Sequence, residues 1–301
     1  MTIAFQPLHP VFVAEVSGVD LRNRLSPQEV AAIEAGMDRY AVLVFRDQRV
    51  TDEQQIAFCA NFGEIQSEVG GSILKANELR LDIVFADISN LDVDGSRLAR
   101  TDRRRLFGLA NQVWHSDSSF RPNPAKYSML SGRVIPSRDG NTEFADMRAA
   151  YDALDDSTKA KIDGLIGEHC LLYSRTLLGF TEFTPEERAA FGVVQQRLVR
   201  THPVTRRKSL FLSSHLGGIV GWPMPEARMF LRDLTEHATQ RQFVYSHPWR
   251  QYDLVIWDNR QTLHRARPYD DRNETRDMRR ISIVGDGPTI EPMTAAAQES
   301  C

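Results

Sequence analysis

The segment Asn111-Gln112-Val113-Trp114-His115-Ser116-Asp117-Ser118-Ser119-Phe120 sets a histidine and an aspartate two residues apart. Along an extended strand alternate side chains share a face, so His115 and Asp117 would project together and could reach one metal ion. That spacing alone is weak, because a neighbouring His–Asp pair is more often a hydrogen-bonded structural contact. A third ligand must come from elsewhere. His264, in Trp257-Asp258-Asn259-Arg260-Gln261-Thr262-Leu263-His264-Arg265, follows a predicted strand and a turn-forming Asp-Asn. Two histidines and one carboxylate make a facial triad that leaves three adjacent positions open on a non-haem Fe(II). The same donors can hold zinc in a hydrolase.

About a dozen residues further on lies Arg276-Asp277-Met278-Arg279-Arg280-Ile281-Ser282-Ile283. In a strand Arg276 and Arg280 have the same parity and so share a face. Two guanidiniums on one face are costly unless they meet anions, and arginine grips carboxylates in a two-pronged fork. A cofactor with a distal carboxylate and a substrate with its own acid group would engage them. Arg279, of opposite parity, is expected on a solvated basic edge. His202 and His215 are candidate pocket residues, although a lone histidine is usually a satisfied structural one. Trp114 is expected to pack.

These residues need elements to hold them. Ser26-Pro27-Gln28-Glu29 has a capping serine, proline at the first helical position and glutamate three after the cap, which predicts a helix to about Arg39. Ala41 to Phe45 reads as a buried strand. Thr51-Asp52-Glu53-Gln54 is a second capping box, opening a helix to about Phe62 with Gly63 as its stop. Further strands are predicted at Tyr127 to Ile135, Leu254 to Trp257 and Arg280 to Val284. Helices are predicted at Met147 to Leu154, Ser157 to Ile166, Pro185 to Phe191 and Glu226 to His237. Dispersed strands without a βαβ rhythm favour a barrel or sandwich. From Gly70 to about Gly108 charges accumulate, Arg103-Arg104-Arg105 among them. Such a stretch is either a binding loop or a solvated surface insertion, and composition favours the insertion.

Composition excludes several classes. With 42% hydrophobic and 26% charged residues among 301, the chain is an ordinary globular protein. A formal net charge of -3 gives no reason to expect nucleic acid or an anionic membrane as partner. Cys59, Cys170 and Cys301 are scattered and form no C-x-x-C pair, which fits a reducing compartment. No secretory leader is evident, and no apolar run approaches the roughly 18 residues needed to span a bilayer. A cytoplasmic location is expected. No G-x-G-x-x-G, P-loop or G-x-S-x-G element appears.

The order H-x-D, then W-D-N-R with its distal histidine, then R-x-x-x-R, resembles the taurine/2,4-dichlorophenoxyacetate family of Fe(II)/2-oxoglutarate-dependent dioxygenases, closest to its 2,4-dichlorophenoxyacetate branch. The resemblance runs over nearly the whole chain, through PLHPVF, AVLVFRDQ, DEQQIAF, ANQVWHSDSSF, YSMLS, NTEFADMRAAYDAL, EHATQRQFVY, WDNRQTLHR and RDMRRISI. It implies a mainly β chain with flanking helices around a double-stranded β-helix (jelly-roll) core. Residues 1–301 would form one catalytic domain, with a mobile active-site loop at about 66–108 and a flexible tail at about 288–301. It also implies that His115, Asp117 and His264 ligate iron, and that Thr142 and Arg276 bind the far carboxylate of 2-oxoglutarate. Arg280 and Lys75 would meet the acid group of a small-molecule carboxylate substrate. Asn141 stands where the family commonly has aspartate, and the His264–Arg276 spacing is one residue longer than in the taurine branch.

The activity so implied is hydroxylation, with O2 and 2-oxoglutarate, of the carbon beside the ether oxygen of an aryloxyalkanoate. That yields a phenol and a 2-oxo acid with succinate and CO2. Alternatives are a taurine, alkyl-sulfonate or sulfate-ester dioxygenase of the same family, a metal-dependent hydrolase, or a jelly-roll binding protein without catalysis. Neither nucleic acid nor membrane is an expected partner, and the sequence leaves a homo-oligomer open.

Overall fold

The structure is a computed structural model and describes residues 2–67 and 79–290. Its first helix, Pro27–Tyr40, starts on the expected box: Glu29 N–H donates to Ser26 Oγ and Ser26 N–H to the Glu29 carboxylate. It ends at Ala41, whose φ of 59° turns the chain sharply while its N–H still bonds Met37 O. The strand therefore begins one residue later than expected, as Val42–Phe45, buried at all four positions. Helix Asp52–Cys59 starts on the Thr51–Gln54 box, tightens into a single turn at Ala60–Phe62, and stops at Gly63, φ 138°.

Seven strands form the main sheet, in the order Ala4–Pro7, Ala14–Ser17, Val42–Phe45, Leu254–Asp258, Tyr127–Val134, Asp277–Ser282 and Ala86–Asp87. All pairs are antiparallel except Ala14–Ser17 against Val42–Phe45. Opposite stands the antiparallel sheet Val244–His247, Thr142–Asp146, Thr262–Ala266. A second three-stranded sheet, Leu216–Ile219, Ile166–His169 and Val194–Arg197, extends this side of the molecule.

The two-residue period of a strand sorts the apolar side chains into layers. Leu43, Phe45, Met129, Leu254, Ile256 and Ile281 pack outward against Ile33 and Met37 of the first helix and Phe58 of the second. Val42, Val44, Leu130, Val255, Trp257 and Met278 turn inward and meet Phe144 of the opposite sheet. Beyond that sheet, Ala145 and Leu263 pack against Leu231 and Leu234 of helix Met224–Ala238. The result is the expected jelly roll with helices outside.

Several element ends differ from expectation. The helix expected over Ser157 to Ile166 spans Asp156–Ile162, because Gly164 adopts φ 78° and the chain re-enters a sheet at Ile166. The last main-sheet strand is Asp277–Ser282, three residues earlier in its start than expected.

Several charges of the 79–108 stretch are paired, while Asp94, Arg97 and Arg100 stay exposed. Arg80 bonds both Asp87 and Asp277, Arg103 bonds Glu187, and Arg105 bonds Asp271. Arg279 likewise is no solvated edge residue: its strand is flanked on both sides, and its guanidinium meets Asp52 and Asp277. Residues 68–78 of the expected loop, with Lys75, and 291–301 of the expected tail lie outside the described residues. Among the described residues no helix is long and apolar enough to cross a membrane.

Candidate active site

His115, Asp117 and His264 come together in the space between the two sheets. Their ligand atoms all lie within 4.8 Å of one another and all three residues are buried. His264 lies on strand Thr262–Ala266, which pairs with Thr142–Asp146 so that His264 stands opposite Phe144. The alternation that sends Leu263 outward sends His264 inward, where its ring rests 4.7 Å from that of Trp257. His115 and Asp117 are not on a continuous strand, as the parity argument assumed. His115 forms an isolated bridge with His264, and Asp117 opens a turn in which Ser118 has φ 56°. The bridge seats the first histidine beside the second, at 4.1 Å between ring centres, and the turn carries the carboxylate back to both.

The donor set fits a divalent metal. His115 Nδ1 lies 2.8 Å from Val113 O, which keeps the proton there and leaves Nε2 as the ligand atom. Nε2 of His115 and of His264 approach Asp117 oxygens at 3.9 and 3.5 Å. Burial pushes both imidazole pKa values down, opposed by the Asp117 charge, so the rings stay neutral. Burial alone would raise the Asp117 pKa, but the Arg280 guanidinium and the Ser128 hydroxyl help hold it down to about 2. Neutral imidazoles and an ionised carboxylate are the protonation states a metal requires.

A buried network fixes the carboxylate. Ser128 Oγ donates to Asp117 Oδ2 at 2.7 Å. Asn259 Nδ2 donates to Ser128 Oγ, while Asn259 Oδ1 accepts from Asp117 N–H and from Trp257 Nε1. Sequence reasoning noticed Trp257-Asp258-Asn259 only as a strand end and turn. Its signal was present in the adjacency to His264, but the cross-strand partnership with Ser128 was not.

The two arginines share one face, as their spacing required. Arg276, Met278 and Arg280 share an inward parity, because the irregularity in pairing falls on the neighbouring strand, which passes from Val134 to Gly132. Arg276 is buried, with Nε on Met278 Sδ and Cζ 5.6 Å from the Tyr269 ring. Burial lowers its pKa to about 10, and among the described residues no carboxylate acts on it. Thr142 shares the inward face with Phe144 and accepts from Trp249 Nε1 at 2.9 Å. Arg280 Nη1 reaches Asp117 Oδ1 at 2.5 Å, at the edge of the triad.

Of the two further histidines, the structure brings only His215 to the triad, its ring 6.2 Å from that of His115 and 4.9 Å from Phe120. His215 Nδ1 faces Ser174 Oγ at 3.0 Å, and that hydroxyl donates to Leu171 O. The ring therefore donates from Nδ1, leaving Nε2 as its acceptor. His202 is held elsewhere, against Asp258 and the N–H groups of Val204 and Thr205. It locks the Asp258–Arg260 pair, a structural role. Trp114 packs as expected, under the Arg265 guanidinium.

This site on this fold is that of a dioxygenase. Residues 4–282 match the taurine catabolism dioxygenase TauD, TfdA family, and the chain belongs to it. It is a 2-oxoglutarate-dependent oxidoreductase with the jelly-roll core of that family. Over 95% of its length it is 47% identical to 99% of an alpha-ketoglutarate-dependent 2,4-dichlorophenoxyacetate dioxygenase from Cupriavidus pinatubonensis. It is 38% identical to an (S)-phenoxypropionate/alpha-ketoglutarate-dioxygenase from Sphingobium herbicidovorans, over 93% of this chain and 94% of that one. The crystal structure of AAD-2 in complex with Mn(II) and N-oxalylglycine superposes with a TM-score of 0.94 at 58% identity, covering 96% of this chain and 100% of that one.

Proposed function

We propose that the protein hydroxylates an aryloxyalkanoate, such as 2,4-dichlorophenoxyacetate, at the carbon beside the ether oxygen. The hydroxylated carbon carries two oxygens and collapses to a phenol and a 2-oxo acid, with succinate and CO2 from 2-oxoglutarate. The observation that carries this reading is the 47% identity, over 95% of the chain, to an enzyme named for that substrate class. Taurine and sulfate-ester substrates have less support: a sulfate ester dioxygenase from Pseudomonas putida is 27% identical.

His115, Asp117 and His264 would hold Fe(II). Bound there, iron supplies the coupling of 2-oxoglutarate decarboxylation to transfer of one oxygen atom from O2. Thr142 and Arg276 would bind the far carboxylate of 2-oxoglutarate, a buried guanidinium meeting the anion its surroundings lack. Arg280 would orient the acid group of the substrate beside Asp117. Neutral His215, with Nε2 as acceptor, would line the substrate side of the pocket. Lys75 is a second candidate for the substrate acid on sequence grounds. Residues 1–301 would act as one catalytic unit in the cytoplasm, with about 66–108 as the active-site loop.

The test is a substrate panel with Fe(II), 2-oxoglutarate and air. Phenol release from phenoxyacetate, matched one to one by succinate, is the expected result. Sulfite from taurine or sulfate from an alkyl sulfate, in preference to phenol, would overturn the substrate assignment. Turnover under strict anaerobiosis without 2-oxoglutarate would overturn the oxygenase reading.

A further inference from the structure

Two buried arginines of this fold are closed by an acid. Arg148 and Arg260 each fork onto an aspartate two residues before them, at 2.9 and 2.7 Å. Arg175, on helix Leu171–Thr176, is different. It is 7% exposed, and its Nε is buried without a hydrogen-bond partner. Nη1 donates to the neutral Ser174 hydroxyl at 2.8 Å, and Cζ stacks 4.3 Å from the Phe107 ring. Among the described residues no carboxylate acts on it; burial and the Arg280 charge press its pKa down, to about 9.

Its surroundings belong to the active site. Ser174 Oγ, which accepts from Arg175, also faces His215 Nδ1, and the His215 ring stands 6.2 Å from that of His115. The Arg175 charge bears on His115 and His215 as well as on Arg280. A desolvated cation linked through Ser174 to His215 beside the triad, with an unmet donor, calls for an anion from outside the chain. Arg276 stands apart from this group, against Tyr269 and Met278, so the far end of 2-oxoglutarate is already provided for. Arg280 is engaged by Asp117.

We propose that Arg175 is a specificity residue that binds the carboxylate of the organic substrate, completing with Arg280 a two-guanidinium clamp. This rests on the aryloxyalkanoate reading above. It predicts that the enzyme favours substrate acids over their neutral isosteres, and that this preference resides in Arg175.

The experiment is calorimetric titration of the full-length protein, loaded with 2-oxoglutarate and a redox-inert divalent metal, with phenoxyacetate and with its neutral isostere phenoxyethanol. Wild type, Arg175→Met and Arg175→Lys are compared, with thermal midpoints recorded without ligand. Arg175→Met is expected to weaken phenoxyacetate at least ten-fold, to leave phenoxyethanol affinity and the affinity for 2-oxoglutarate, titrated beforehand onto the metal-loaded protein, within two-fold, and to melt no lower than wild type. Arg175→Lys is expected to recover part of the loss. A structural arginine would give the reverse: a lower midpoint and equal loss for acid and alcohol. Phenoxyacetate affinity unchanged in a folded Arg175→Met protein overturns the proposal. Taurine is titrated in parallel. Should wild type bind taurine and not phenoxyacetate, the aryloxyalkanoate reading fails, and the clamp then stands if Arg175→Met weakens taurine and falls if it does not.

Discussion

Arg280 Nη1 sits 2.5 Å from Oδ1 of Asp117, so one carboxylate serves both the histidine pair and the arginine at its rim. The guanidinium helps keep Asp117 ionised, and in the proposed function it meets the substrate acid. Arg280→Ala should therefore raise the KM for phenoxyacetate at least ten-fold, with a much smaller rise for 2-oxoglutarate. Equal losses for both would show that Arg280 does not separate substrate from cosubstrate.

Asp117→Ala removes a ligand and strands Arg280 and Ser128 Oγ, both of which it engages. Succinate formation should fall by about a thousand-fold or more, and Fe(II) binding should weaken by at least about 100-fold, the scale expected when a ligand or its immediate support is lost. Wild-type succinate formation by this variant would remove Asp117 from the ligand set.

Arg276→Met replaces a buried cation with an apolar side chain of similar length. Losing one partner of a buried charge pair costs roughly 2–5 kcal/mol, which corresponds to about thirty-fold or more in affinity. The KM for 2-oxoglutarate should rise accordingly, while the folded protein gains or keeps stability because the unmet charge is gone. An unchanged KM removes Arg276 from the cosubstrate site.

Asn259→Ala leaves the N–H groups of Asp117 and Trp257 without their acceptor and frees Ser128. Fe(II) affinity should drop by about 10–100-fold, as for other supports of a metal ligand. Ser128→Ala, which removes a single hydrogen bond to Asp117, should cost less. A metal titration that ranks Ser128→Ala below Asn259→Ala in affinity would contradict this network.

His169 is fully buried, stacks 5.3 Å from Phe211, and has neither ring nitrogen hydrogen-bonded. Burial, with the nearby Arg200 charge, lowers its pKa to about 3. The folded state keeps it neutral while the unfolded chain protonates it near pH ~6.5. Its contribution to stability is thus complete above that pH and is lost as pH falls toward the folded value. His169→Phe should flatten the decline of unfolding free energy between pH 6 and pH 4 by up to about 1.4 kcal/mol per pH unit. Urea titrations at fixed pH read this directly, and an unaltered slope refutes it.

Much of this protein is legible in the linear chain because the governing rules are local. Capping boxes at Ser26 and Thr51 set two helix starts, and the apolar run ending at Phe45 marked a buried strand. Motif order supplied His115, Asp117, His264, Arg276 and Arg280 as one group. What only the tertiary structure decided concerns residues distant in sequence. The His115–His264 bridge, not a continuous strand, seats the ligands, and Ser128 reaches Asp117 only through strand pairing. His215 and His202 look alike in the sequence, yet one faces His115 and the other Asp258. Arg175 gave no signal at all, since a buried cation is recognised by the acid it lacks, and that lack is a property of the folded neighbourhood.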